Sequence, residues 1–483
     1  MRPEISARTS PAAAPGWGLA MALAGALTAA CGSRTEPAPP TVAGSGAPAA
    51  VATTDARPAA VAPTLAVRPL GHARADGLAW ARGPGHGAFR RAEVAAAEER
   101  WDDVVTEARA ARAADPDHLA AAWLEARALG RMGRLPEALA ALEIAAAGDW
   151  PAYGEASLVV PELAALRAQP MGAAWLDLAE RYRAAWATAA ATALIVVAGD
   201  DVVAMTADGA RWLPLTRTGG VVGVLRLPGR PRLAIVTGPA LAVDVLDLGT
   251  GLGGKPVALP GARVTLRWRV GTSGEPWLEA TTGDGRWSIV DATAGTRTKA
   301  PTKGAVLGPR LVVVDGRVRL SRLPILGVAD VAGVAADWDE DGLASAARIG
   351  RGDRAITPPP GTFIDGDTVA LSPGATAVAF AAVPPGRCPT ADGVAAALVV
   401  AELATGRLHR LAPWTLGAQL DWLDERTTAI AAGGALTLQA VDGAPTVVPA
   451  SMPLSLLGPS EAVACAPPPT PPAPVDAAPA PTP

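Results

Sequence analysis

Histidine, cysteine, lysine and the smaller aromatic residues are all scarce in this chain of 483 residues. There are four histidines, three cysteines, three phenylalanines and two tyrosines. Only one histidine, His409, falls in the C-terminal half, so a histidine-based metal site or a Ser-His-acid triad has almost nothing to build on. His409 follows a Thr-Gly turn and reads as a surface residue of a strand. The sequence has no zinc-protease helix motif, no Gly-x-Ser-x-Gly elbow and no nucleotide loop. The glycine-rich stretch Gly249 to Lys255 lacks the Lys-Ser/Thr ending and runs into Pro256, so it reads as a turn. Lysine occurs three times against 39 arginines, and the net charge is −4. That balance argues against a nucleic-acid surface. With 52 glycines and 47 prolines, the arginine excess reads as compositional bias. No apolar run free of charges and breakers reaches the roughly 20 residues a spanning helix needs.

The N-terminus is informative. Arg2 and Arg8 precede an apolar run from Trp17 to Ala30, and Cys31-Gly32 follows. A basic leader, a short apolar core and small residues before a cysteine resemble a bacterial lipoprotein signal. The resemblance implies export and lipidation of Cys31, with residues 1–31 as the signal. The family usually places leucine three positions before the cysteine; here Thr28 stands there and Leu27 is one place earlier. The alternative is cleavage after Ala30, which gives a secreted or periplasmic soluble protein. If Cys31 is acylated, Cys388 and Cys465 remain as an even pair, and a disulfide between them is expected in an oxidising compartment.

Residues 32–84 are rich in Pro, Ala, Thr and Gly and read as a disordered linker, and the Pro-rich stretch 466–483 reads as a disordered tail. Residues 85–187 switch to helical spacing. Gly133 followed by Glu137-Ala138-Leu139, and Pro116 closing the preceding unit, resemble tetratricopeptide repeats. The 34-residue period carries Gly133 back to Glu99, the matching turn one repeat earlier. Units are expected at about 85–118 and 119–152, with a weaker third from Tyr153 to about Trp186.

Helical spacing stops after Ala190, and residues 190–465 show many short apolar strands. A turn recurs between them: Asp247-Leu-Gly-Thr-Gly251, Asp291-Ala-Thr-Ala-Gly295 and Glu402-Leu-Ala-Thr-Gly406, with looser copies ending at Gly209 and Gly443. Gly209, Gly251 and Gly295 lie 42 and 44 residues apart, near the period of propeller blades. The turns resemble those of WD-type and quinoprotein-type β-propellers. The expected fold class is therefore α+β multidomain: helical repeats followed by an all-β propeller of about seven blades, with six to eight within the range of the spacing. Glu461 to Cys465 is the expected closing strand, pinned by the Cys388–Cys465 bridge.

One loop invites metal chemistry. Asp337, Asp339 and Asp341 alternate before Gly342 as at the start of a calcium loop. The twelfth position holds Arg348 and the ninth Ser345, where such loops place an acid, so the competing reading is an acidic solvent turn. Calcium is the only cofactor the sequence suggests. Repeat and propeller families mostly present rigid surfaces to proteins or peptides. The expected function is an envelope protein, lipid-anchored at the outer membrane or on the periplasmic side. It acts as a non-catalytic scaffold whose partners are other envelope proteins or peptides. The alternatives are a propeller-type ligand binder or quinoprotein-like enzyme, and a surface sensor or adhesin.

Overall fold

The computed structural model describes residues 66–73, 83–217, 219–227, 231–238, 241–259, 263–270, 275–291, 296–301, 305–314, 317–321, 334–336, 343–349, 355–374, 376–388, 394–450 and 452–458. Helices fill the N-terminal part and antiparallel strands in several sheets fill the rest, an α+β arrangement. The signal segment with Cys31, the loop of Asp337, Asp339 and Asp341, the segment Glu461 to Cys465 and the tail 466–483 lie outside the described residues.

Two helical hairpins open the described helical part. Helices α1 (His86–Ala97) and α2 (Trp101–Ala114) form the first, and α3 (Leu119–Arg131) and α4 (Leu135–Gly148) the second. Their apolar positions recur at helical spacing. Helix α1 buries Phe89, Ala92 and Ala95, and α2 buries Val104, Val105, Ala108 and Ala111. Small alanines at these contacts let the helices approach closely. The two hairpin turns sit 34 residues apart, and both adopt left-handed backbone: Gly133 at φ +73° and Glu99 at φ +56°. The second helix of each hairpin ends where Pro116 or Asp149 follows the last apolar position.

The third helical unit departs from the hairpin plan. Its first half is broken into a π-turn at Trp150–Gly154, α5 (Glu155–Ser157), a 3-10 turn at Pro161–Leu163 and α6 (Ala164–Arg167). Prolines 151, 161 and 170 each open one of these pieces, because proline lacks the N–H a helix interior needs. The long α7 (Pro170–Thr192) follows and buries Trp175, Leu178, Tyr182 and Trp186. The indole N–H of Trp175 donates to Ser157 Oγ at 3.2 Å, tying α7 to the broken half.

The β region begins directly at Leu194. Among the described residues the strands pair antiparallel and fall into six sheets. The first sheet holds Leu194–Ala198, Asp201–Met205 and Trp212–Pro214, and Leu454–Ser455 joins it beside Leu194–Ala198. The second runs Val221–Arg226, Arg232–Thr237, Ala242–Asp247, then Leu252–Gly253. The third is wider: Arg263–Val270, Pro276–Thr282, Gly285–Asp291 and Thr296–Lys299 in meander, with Ala305–Val314 and Arg317–Ser321 added on the other side of Arg263–Val270. A small fourth sheet holds Val334–Ala336, Ala347–Ile349 and Ala355–Ile356. The fifth is centred on Phe363–Asp365, Ala377–Val383, Ala397–Glu402 and Leu408–Pro413, and the sixth on Gln419–Trp422, Thr427–Ala432, Ala435–Ala440 and Pro445–Val447.

The recurring turn has a fixed place in this topology. In the second and sixth sheets it joins the third strand to the fourth, and in the six-stranded fifth sheet it joins the last two strands, Ala397–Glu402 and Leu408–Pro413. In the first sheet it also joins third to fourth, provided Leu454–Ser455 counts as the first strand. The chemistry of the turn repeats too. Asp247 accepts the N–H of Gly249 at 2.8 Å and of Thr250 at 3.2 Å, and Gly251 N–H returns to the Asp247 carbonyl at 2.8 Å. Gly406 N–H returns to the Glu402 carbonyl at 2.8 Å, and Thr405 Oγ1 donates to the Glu402 carboxylate at 2.7 Å. Gly209, Gly251 and Gly406 all sit at positive φ, which is why glycine closes the pattern.

Helices and sheets share one core. A continuous cluster runs from Phe89 through Leu129, Leu142, Trp175 and Trp186 to Ile195, Leu213, Leu233 and Leu248. Arg226, in the second sheet, donates to the carbonyls of Ala191 and Ala193 at the end of α7, the latter at 2.8 Å. Those carbonyls have no partner within the helix, so the guanidinium satisfies them and meets the negative end of the helix dipole. Within the linker expected over 32–84, residues 66–73 are an irregular segment stitched to the fold by hydrogen bonds. They lie between helices and sheet, with Gly71 N–H on the Ala147 carbonyl (2.8 Å) and Arg68 N–H on the Tyr182 hydroxyl (3.0 Å). His72 exchanges backbone hydrogen bonds with Trp212 at 2.8 and 2.9 Å. Composition misled here because backbone groups make these bonds, and they need no apolar side chains.

Candidate functional site

A shallow, open concavity lies on the first helical hairpin. Arg90, Arg91, Val94 and Ala95 of α1 face Arg100, Asp103, Thr106 and Glu107 at and beyond the turn, around a groove of about 480 Å³. Helical spacing explains the lining: Arg90, Arg91, Val94 and Ala95 stand on adjacent turns of one side of α1. Ala95 closes the floor, fully buried, while Val94 is 52% exposed at the rim.

The rim is charged on both sides. Arg91 reaches across to Glu107 at 2.8 Å, which holds that carboxyl below and that guanidinium above their ordinary ranges. Arg90 pairs with Glu93 at 2.6 Å, and Arg100 with Glu98 at 2.7 Å and with Asp103. These are solvent-exposed pairs, and such pairs contribute little to stability. A partner's carboxylates therefore exchange for them at small cost. Each of the three arginines of the lining is paired with at least one carboxylate, beside an exposed apolar side chain.

The second hairpin offers no such surface. Glu125 of α3 is buried and accepts from Arg109 and Arg112 of α2 at 2.6 Å each, and Arg109 also reaches Glu137 of α4 at 2.8 Å. Helix α3 is covered by the broken third unit, and Arg127 pairs with Glu162 across that contact.

A second cluster of charges sits at the helix–sheet junction. Asp149 is buried and held by the guanidinium of Arg217, and its Oδ1 accepts Ala152 N–H at 3.2 Å. Burial, with the Asp149 charge, pushes the Tyr153 hydroxyl above its ordinary range, and burial pulls the His72 imidazole below its own. A bidentate pair with its carboxylate buried fixes geometry, so the cluster is a clamp between the two regions.

The residues singled out from sequence fall as follows. Cys388 follows the strand Ala377–Val383 and is disulfide-bonded; Cys31 and Cys465 both lie outside the described residues. Asp337, Asp339 and Asp341 also lie outside them, and no group of three or more metal-ligating residues occurs among the described residues. His409 stands on Leu408–Pro413 with Nε2 at 3.0 Å from Glu402 Oε1, so it belongs to the turn chemistry. The arginine groove on α1 was not singled out, because its charges read as an ordinary solvated helix face. Its one sequence signal is Val94, apolar among Arg90, Arg91 and Glu93.

No protein-family description matches this chain, and no curated protein does. Solved structures similar in part include a puromycin-hydrolysing peptidase of Mycobacterium tuberculosis, at TM-score 0.32 and 15% identity over 55% of this chain and 54% of that one. Kluyveromyces lactis Hsv2 is similar at TM-score 0.28 and 13% identity, over 53% of this chain and 72% of that one. A glycoside hydrolase of Niastella koreensis is similar at TM-score 0.28 and 12% identity, over 53% and 45%. The chain thus spans about half the length of the two enzymes. Scores this low carry no argument about function.

Proposed function

We propose that this protein is an envelope-anchored, non-catalytic scaffold that captures a protein segment in the groove of its first helical hairpin. The observation that carries this reading is the groove itself: an arginine rim around a half-exposed Val94, on a hairpin rigidly joined by a shared core to the sheets. The segment it suits carries acidic side chains around a small apolar one. Cys31 is the anchor in this reading, and no described helix is long and apolar enough to cross a membrane. The β region is a closed propeller, with Leu454–Ser455 as the strand that joins the chain's end to its first sheet. The recurring turn leads into the outermost strand of the second, fifth and sixth sheets, which supports that reading. In this reading the disulfide partner of Cys388 is Cys465.

Photocrosslinking tests the groove in the full chain expressed with its native N-terminus. A benzoylphenylalanine at position 94 is expected to give a discrete adduct with an envelope protein, lost on adding Arg91→Glu and Arg100→Glu. The same probe at Val159, 74% exposed and away from the groove lining, is the control. Equal adducts at 94 and 159, or adducts indifferent to charge reversal, would sink the proposal.

A further inference from the structure

The third sheet has two unlike faces. Val264, Leu266, Trp268, Leu278, Ala280 and Ile289 point to one side and join the apolar cluster of the second sheet. Alternation places Arg267, Arg269, Trp277, Glu279, Arg286 and Ser288 on the other. The register fixes their neighbours: Glu279 stands directly between Arg267 and Ser288, and Trp277 stands opposite Arg269.

Glu279 has no exposed surface, yet three guanidinium groups converge on it. Arg267 Nε lies at 2.6 Å from Oε1, Arg269 Nε at 2.8 Å from Oε2, and Arg286 also holds Oε2. Burial alone would favour the neutral acid, but hydrogen bonds from Arg286 and Arg267 outweigh it and hold the carboxyl below its ordinary range. Burial and the neighbouring guanidinium charges of Arg267 and Arg286 press Arg269 below its own ordinary value, against the opposing pull of Glu279.

Two features are unbalanced. Among the described residues of this face, three arginines meet one carboxylate, a surplus of two positive charges. Two buried donors also stand without an acceptor: the indole N–H of Trp277 and the hydroxyl of Ser288, with 9% and 1% of those residues exposed. Indole and guanidinium groups can only donate. A buried donor left unpaired costs about 1–3 kcal/mol, so native structures rarely leave two together. Trp277 and Ser288 are diagonal neighbours on this face, their positions roughly 7–8 Å apart by sheet geometry, and both adjoin Glu279.

We propose that this face of the third sheet is a binding site for a phosphate group, held by Arg269 and Arg286 with Trp277 and Ser288 as neutral donors. A dianion of four acceptor oxygens cancels the charge surplus and supplies the acceptors that Trp277 and Ser288 lack. Glu279 is the positioning residue: it spreads the three arginines across the face and keeps the apo site from self-repulsion. The site is independent of the groove on the helical hairpin.

The test is titration of the full chain with inorganic phosphate at constant ionic strength, followed by calorimetry and by the thermal midpoint, with chloride as the control. The expected result is saturable binding and a rise in the midpoint that chloride does not give. Arg286→Gln, the most exposed of the three arginines, is expected to fold normally and to weaken phosphate binding at least tenfold. Ser288→Ala is expected to weaken it several-fold. Vesicles containing phosphatidic acid, beside vesicles of phosphatidylcholine alone, distinguish the source: retention on the former identifies a lipid headgroup, and binding of free phosphate only identifies a soluble phosphate. A midpoint shift equal in chloride, or phosphate binding unchanged in Arg286→Gln, would overturn the proposal and leave the cluster as a structural ion network with buried water on its donors.

Discussion

The two helical hairpins follow one plan and end in different states. Helices α1 and α3 occupy the same place in their hairpins, yet α1 buries three residues and α3 ten. Local sequence explains only part of this: α3 carries three leucines and a tryptophan, α1 one phenylalanine and one valine. The rest of the difference lies in what stacks on each. Helix α3 lies between the first hairpin and the proline-broken third unit, whereas among the described residues α1 has only α2 and α3 against it. An unpartnered end of a repeat array is either capped by polar residues or used. Here a rim of paired arginines and acids caps the end and Val94 stays half-exposed.

The largest effect that sharpens the comparison is in the core. Leu129→Ala in α3 removes a fully buried side chain and is expected to cost about 3 kcal/mol in urea unfolding. Val94→Ala in α1 is expected to change the same measurement by no more than about 0.5 kcal/mol. Similar costs for the two would mean that α1 is covered in solution.

Next in size is a pH effect confined to the contact between hairpins. His118 caps α3, its Nδ1 accepting Ala121 N–H at 3.2 Å, and its ring lies 4.7 Å from that of Phe89. Burial lowers its pKa from 6.5 to about 4. Folding therefore favours the neutral ring. The contribution is complete above about pH 6.5 and is lost as the pH falls through 4, up to about 3 kcal/mol. His118→Asn keeps a capping acceptor that does not titrate, so the stability difference between pH 7 and pH 4 should shrink by that amount. An unchanged difference would assign the acid sensitivity elsewhere.

The smallest effect separates the two turns. Glu99 and Gly133 share a left-handed backbone one repeat apart. Glu99→Gly should stabilise by about 1 kcal/mol, and Gly133→Ala should destabilise by about as much. A Cβ at Gly133 meets nothing within 4 Å, so its cost is backbone conformation alone. Same-sign changes would show that the turns are not equivalent.

Much of the architecture was legible from local pattern. The period that carries Gly133 to Glu99 is a property of neighbouring residues, and so is the loss of helical spacing near Ala190, two residues before α7 ends. The recurring acid-to-glycine turn was visible because its hydrogen bonds are local, as in Asp247 to Gly251. What could not be read depends on register across the chain. The strand beside Leu194–Ala198 is Leu454–Ser455, whereas the expected one, Glu461 to Cys465, lies outside the described residues. Pairing partners far apart leave no mark in either segment. The arginines around Glu279 likewise come from the two strands on either side of its own, and only register assembles them. The groove was hidden for the opposite reason: its charges look like those of any solvated helix.

The seating of Leu454–Ser455 in the first sheet bears on the order of assembly. The strand Leu194–Ala198 gains its outer neighbour only after a detour of roughly 260 residues, among the most non-local of contacts and therefore among the slowest to form. Until then the first sheet keeps an open edge, the kind of surface that recruits strands from other chains. The helical hairpins and the helix–sheet core can form early, while the β region stays vulnerable to aggregation until its last strand arrives. A truncation just before Leu454 would thus turn a late folding step into a permanent sticky edge.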